Sequence, residues 1–201
     1  MDGIIREIIE TEWTQFDKVQ NRGGRAACQD DWKTFAVMRS SQFQVWTQAL
    51  LESYRKDLRS AQKEGRNLFW EKYARMMERT APSEYEALKD TLPVLSPEKL
   101  YLSDLICAAY VLWQEELAEQ YPRLTGHGRP IRKENDGPGI TSFETYLRGE
   151  LLTYSVESLR LYAAFVDKSK KERVNLCEQI LRNTVQQYGF STLEEAESRQ
   201  P

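Results

Sequence analysis

Apolar residues recur along this chain at spacings of three and four, which places them on single faces of helices. No stretch alternates as a half-buried strand would. The pattern predicts an all-α protein. Residues 3–20 form a first amphipathic helix that ends before the string NRGGR. Asp30 or Gln29 caps a second, which reaches about Ser41. A third runs from about Thr47 to Lys63 and is closed by Gly65; Asn67 caps a fourth that stops near Thr80. A short fifth opens at Pro82 and ends near Asp90, and Ser96 caps a long sixth to Glu119. Residues 121–139 (YPRLTGHGRPIRKENDGPG) read as an irregular loop. Three more helices are predicted at about 142–154, 156–168 and 171–188, with Gly189 ending the last. Residues 191–201 trail as a short polar helix or tail. The sum is an irregular bundle of eight or nine helices, read as one domain over residues 1–201. Both flanks of the 121–139 loop carry apolar stripes that need partners, which argues against a boundary there.

Several of these stripes are interrupted by a charge. Glu150 sits near the centre of a face made by Phe143, Tyr146, Leu147, Leu151 and Tyr154. Glu12 lies within the face made by Ile5, Ile8, Ile9, Phe16 and Val19. Arg39 falls among Trp32, Phe35, Ala36 and Phe43, and Glu116 lies nearer the edge of a stripe containing Ile106, Trp113 and Leu117. An ionised carboxylate in an apolar interior is expensive unless it is paired. The economical arrangement brings Glu12, Arg39 and Glu150 together at the centre of the bundle, with Glu116 as a further candidate. Two readings of that meeting stay open. One is a buried ion network that sets helix register and adds little net stability. The other is a ligand or catalytic site, because perturbed carboxylates gather in functional clefts. In the second reading Glu12 and Glu150 are acid/base groups or polar anchors, and Arg39 orients them. An all-oxygen Mg²⁺ or Mn²⁺ site is a lesser alternative. The Glu-x-x-His pairs of di-iron bundles are absent, and no metal ligands are assigned.

Further candidates flank this cluster. QNRGGRAACQDDW places Arg22 and Arg25 around two glycines just before a helix, an arrangement able to hold an anion at the helix start. It lacks the spacing and the Lys-Ser/Thr of a P-loop. Asp30 and Asp31 cap and charge the helix start, and either is alternatively a candidate to face the cluster as a base or metal ligand, with Asp31 kept among the candidate ligand contacts. The loop 121–139 holds Arg129 and Arg132, which as a cationic lid would hold a phosphate or carboxylate group. Glu144 and Arg148, four residues apart, make either a surface bridge or the mouth of a pocket. Tyr73, Tyr146, Tyr154 and the Met76–Met77 pair read first as core; Tyr154 stays among the candidate ligand contacts because it shares the Glu150 stripe. Of the tryptophans, Trp46 and Trp70 lie least clearly on core stripes and are expected at the surface.

Composition narrows the classes. Forty per cent of the chain is hydrophobic and 29% charged, as in ordinary globular proteins. A net charge of −3 gives no electrostatic case for nucleic-acid binding. No apolar run approaches the roughly 20 residues of a membrane span. The opening MDGIIREIIETEW interrupts its apolar pattern with acids and does not read as a signal peptide. Cys28, Cys107 and Cys177 are odd in number and widely spaced, which fits reduced thiols in a cytosolic protein.

The strings NRGGRAACQDDWKTFAVMRSSQF (21–43), EKYARMMERTAPSEY (71–85), GRPI (128–131) and TSFETYLRGELLTYS (141–155) resemble a bacterial family known only as a domain of unknown function, DUF4125. The resemblance spans most of the chain. It implies a stand-alone bacterial protein and carries over no activity, cofactor or catalytic residue. Arg123 and His127 give Arg-x₃-His, which misses the Arg-x₄₋₆-His of helical HEPN-type ribonucleases. The leading expectation is a cytosolic protein with a small-molecule site for an anionic ligand, with enzymatic activity left open, with Glu12, Glu150 and Arg39 at its centre and no identified cofactor. The alternative is a non-enzymatic interaction or regulatory module whose buried charges are structural. A solvent-connected pocket at the cluster would favour the first, and a dry, fully paired network the second.

Overall fold

Side-chain caps and left-handed glycines cut the chain close to where the periodicity breaks. The computed structural model describes residues 2–20 and 24–200, so Arg22 lies outside the described residues. The helices are α1 (Asp2–Asp17), α2 (Trp32–Phe43), α3 (Gln48–Lys63), α4 (Leu68–Thr80), α5 (Pro82–Leu88), α6 (Pro97–Gln120), α7 (Pro122–Gly126), α8 (Phe143–Leu151), α9 (Val156–Lys171), α10 (Leu176–Gln187) and α11 (Leu193–Arg199). Thr47, Asn67, Ser96, Ser142, Ser155 and Asn175 each accept a main-chain N–H in the first turn of the helix they precede. Gly65 and Gly189 adopt φ values of +69° and +91° at the ends of α3 and α10, a conformation that costs glycine nothing. The cap of α2 is Asp31, which accepts from Thr34 N. Asp30 and Gln29 belong instead to the preceding 3-10 turn, Ala27–Asp30.

The expected count of eight or nine helices is corrected to eleven among the described residues. The additions are short. α7 lies at the start of the stretch read as a loop, and α11 lies where a tail was one of two options. Neither has enough turns to show a period in sequence. α11 is a docked element: Leu193 and Ala196 are fully buried, and Glu197 accepts the Arg123 and Leu124 N–H groups at the start of α7.

α6 packs against α8, α9 and α10 and forms one wall of the core; α1 packs on α2, α3 and α4, and α10 on α2. α8 lies across α4 at close range because Gly149 has no side chain. A Cβ there would lie 2.9 Å from Met76 Cγ and 3.1 Å from the Lys72 carbonyl. The main core includes Ile8, Phe43, Leu50, Leu51, Tyr54, Ile106, Leu151, Leu159 and Leu176. A smaller aromatic cluster, Phe16, Val19 and Phe69, is flanked by Trp13, Phe35 and Tyr73. Trp46 is corrected from surface to core: it is 3% exposed and packs edge-on to Phe43 and Tyr162 at 4.9 and 5.0 Å. The turn that ends α2 carries it inward, which no helical period encodes. Trp70 is exposed, as expected. No helix among the described residues is long and apolar enough to cross a membrane.

Candidate functional site

The three stripe charges meet. Glu12 from α1 receives Arg39 in a two-pronged contact, Nε to Oε2 at 2.7 Å and Nη2 to Oε1. Arg39 Nη1 then reaches Glu150 Oε1 of α8 at 3.1 Å and Gln42 Oε1 at 2.8 Å. Tyr54 of α3 donates its hydroxyl to Glu12 at 2.6 Å, and Tyr154 donates to Glu150 at 2.8 Å. Lys72 of α4 donates to Glu150 Oε2 at 2.6 Å. Its ammonium also sits 3.4 Å from the centre of the Tyr146 ring. Arg39 lies 4.7 Å over Phe43. Two carboxylates and two cations thus close a neutral network that ties together α1, α2, α3, α4 and α8.

Burial acts on each group, and its neighbours decide the outcome. Burial pushes the Glu12 carboxyl above its ordinary value; Arg39 and Tyr54 oppose that rise without cancelling it, and the Glu150 charge adds to it. Burial also works against Glu150, but Arg39, Lys72 and the hydrogen bonds of Lys72 and Tyr154 outweigh it and hold this carboxyl well below the carboxylate range. The desolvated Arg39 guanidinium is kept charged by Glu12 and Glu150. Burial, with a carboxylate beside each, pushes the Tyr54 and Tyr154 phenols well up, so both remain O–H donors.

The network leaves almost no room. The space bounded by Glu12, Arg39, Tyr54, Lys72, Glu150 and Thr153 amounts to about 10 Å³, about what a single water occupies. A larger open cleft of about 410 Å³ lies between α1 and the α3–α4 turn, lined by residues such as Glu10, Thr14, Lys18 and Arg66, and touches none of these charges. Among the described residues, no group of three His, Cys, Asp or Glu side chains is placed to hold a metal ion.

The remaining candidates lie elsewhere, apart from Tyr154. Arg25 pairs with Asp17 and Asp30 at the surface, and Asp31 is spent on the α2 cap. Arg132 grips Glu115 with two bonds of 2.6 Å. Arg129 lies 4.6 Å over Tyr146 and so touches the outer edge of the cluster, but it is exposed and, among the described residues, donates only to the Thr141 carbonyl at 3.3 Å. Glu144 and Arg148 do not pair with each other: Glu144 takes Lys133, and Arg148 takes Asp104. Glu116 is exposed and accepts from Asn175, outside the network. Sequence reasoning missed Lys72 and Tyr54. Lys72 carried a usable signal, since it stands four residues from both Leu68 and Met76 on the buried face of α4. Tyr54 carried none, because a tyrosine among Leu50, Leu51 and Leu58 reads as core.

Residues 2–198 match the family described as "Protein of unknown function (DUF4125)". The chain belongs to this family. No curated protein and no solved structure matches it.

Proposed function

We propose that this protein is a non-enzymatic interaction module that pairs with a second copy of itself through the outer face of α6. The observation that carries the reading is a row of apolar side chains left on the surface. Tyr101, Leu105 and Leu112 are 65%, 37% and 54% exposed, and Ala108 between them is exposed as well. Their spacing of four, three and four is the a/d spacing of a helix that expects another helix on that side. The opposite face of α6, with Ser103, Ile106, Tyr110, Trp113 and Leu117, is already buried in the core.

The row is self-complementary when read antiparallel. Leu105 then faces the partner's Ala108, large against small, and Tyr101 faces the partner's Leu112. Beyond them Glu98 meets the partner's Glu115. Each of these acids already holds an arginine of its own chain, Arg160 on Glu98 and Arg132 on Glu115. Two ion pairs therefore meet at each end, and each acid gains a second guanidinium nearby. The tight space at the buried network supports the same reading, because a substrate-sized group has no place beside Glu12 or Glu150. The row spans only about 17 Å. A contact of this size supports a weak dimer, with a dissociation constant on the order of micromolar.

Sedimentation equilibrium across the micromolar range tests it. Wild type is expected to pass from monomer to dimer, and Leu105→Glu to stay monomeric while its unfolding free energy moves by less than about 0.5 kcal/mol. A wild type that remains monomeric, or a Leu105→Glu variant that dimerises equally well, overturns the proposal.

A further inference from the structure

Of the described arginines first read as anion holders, Arg25 and Arg132 are taken by acids and Arg129 lies over a ring, but two other cations, Arg75 and Lys99, have no such partner. Arg75 on α4 is 7% exposed, and no carboxylate lies within ion-pair distance of it among the described residues. Its one hydrogen bond runs from Nη2 to the Pro93 carbonyl at 2.7 Å, and the buried Nε has no partner. Lys99, half-buried in the first turn of α6, has among the described residues only a long 3.4 Å contact to the Leu152 carbonyl at the end of α8. Two carboxylates of this region are committed elsewhere, and Glu78, three residues beyond Arg75 on α4, acts on it through its charge without forming an ion pair. Glu71 gives both oxygens to Arg66, and Asp57 accepts the Ser155 N–H and the Ser158 hydroxyl. Ser103, one turn beyond Lys99 on the same side of α6, is fully buried, and its hydroxyl has no partner.

An uncompensated buried guanidinium is costly and is retained where something neutralises it. Arg75 reaches the 92–96 linker at Pro93, Lys99 reaches from the first turn of α6 toward Leu152, and the two charges are near enough to act on each other. The N-terminus of that long helix adds its own positive pole. We propose that Arg75 and Lys99 form a binding site for a phosphate group at this corner, on the side of α6 away from the Tyr101–Leu112 row. A tetrahedral oxyanion offers acceptors to a planar guanidinium and a point ammonium together, more than a planar carboxylate does. The electrostatics agree: burial lowers both groups, the Arg75 and Arg66 charges lower Lys99 further, and the nearby carboxylates, Glu71 and Glu78 for Arg75 and Asp57 and Glu71 for Lys99, oppose this without cancelling it.

The test is calorimetric titration of the full chain with inorganic phosphate, phenyl phosphate and acetate at constant ionic strength, repeated on Lys99→Met and Arg75→Met. Wild type is expected to bind both phosphates, and each variant to lose at least tenfold in affinity; acetate should bind more weakly. Binding of inorganic phosphate alone would identify the ligand as the free anion, and binding of both would admit esters. In phosphate-free buffer Arg75→Met should melt no lower than wild type, since it removes an unpaired buried charge. Lys99→Met, at a half-buried position, keeps the test alive should Arg75→Met fail to fold. No phosphate binding by wild type, or equal binding by Lys99→Met, overturns the site. Neither result bears on dimer formation, which is read separately.

Discussion

Arg39 is the hinge of the interior: one guanidinium serves Glu12 through two nitrogens and Glu150 through the third. Removing one member of such a set leaves a buried charge without its partner, which costs far more than the intact pair contributes. Glu150→Gln is therefore expected to lower the unfolding free energy by about 3–5 kcal/mol in urea at neutral pH. Arg148→Ala, which breaks an exposed pair with Asp104, should cost less than about 1 kcal/mol. The pH dependence follows from the depressed Glu150 carboxyl. Its contribution is complete above the unfolded-state value, about 4.3, and is lost as the pH falls through the folded value. Glu12, held high, works in the opposite sense and takes up its proton first on acidification. The gap between wild type and Glu150→Gln should therefore be widest near neutrality and narrow below about pH 4; a gap that does not change with pH would remove Glu150 from the charge balance. The meeting of Glu12, Arg39 and Glu150 was legible because a charge on an apolar stripe must find a counter-charge. Lys72 obeys the same rule. The destinations of Arg25, Arg132 and Arg148 were not legible, because exposed cations have many acids within reach and no period selects one.

At the scale of elements, caps and glycines mark most helix ends, and the long helices follow from their stripes. What stayed hidden was where backbones touch. Gly149 looks in sequence like a weak point of α8, flanked by Arg148 and Glu150, yet it is the place where α8 meets the Lys72 turn of α4. Gly149→Ala adds a methyl against a main-chain carbonyl that has nowhere to go. It is expected to destabilise by about 1–3 kcal/mol despite alanine's better helix propensity. Thermal unfolding decides the sign; a stabilised variant would mean that α4 and α8 can part without loss. The short α7 and α11 were hidden for a related reason. Each is held by contacts with the other, Glu197 on the α7 N-terminus and Tyr121 on Glu194, rather than by a stripe of its own.

At the scale of the molecule, the buried charges and the α6 row lie on opposite sides of the core wall, and the proposed pairing uses only the row. The network ties five helices together and leaves a space of about 10 Å³, about a water's volume. The Tyr101–Leu112 row lies on the outside of that body, exposed to solvent, and is the surface that the proposed self-pairing uses. The most direct measurement is disulfide trapping in a Cys28→Ser background, since Cys28 is exposed while Cys107 and Cys177 are buried. Leu105→Cys and Ala108→Cys chains are oxidised separately and as a mixture. The antiparallel pairing predicts a cross-linked dimer in the mixture and little in either variant alone. Cross-links within each variant alone, or none in any sample, would contradict it.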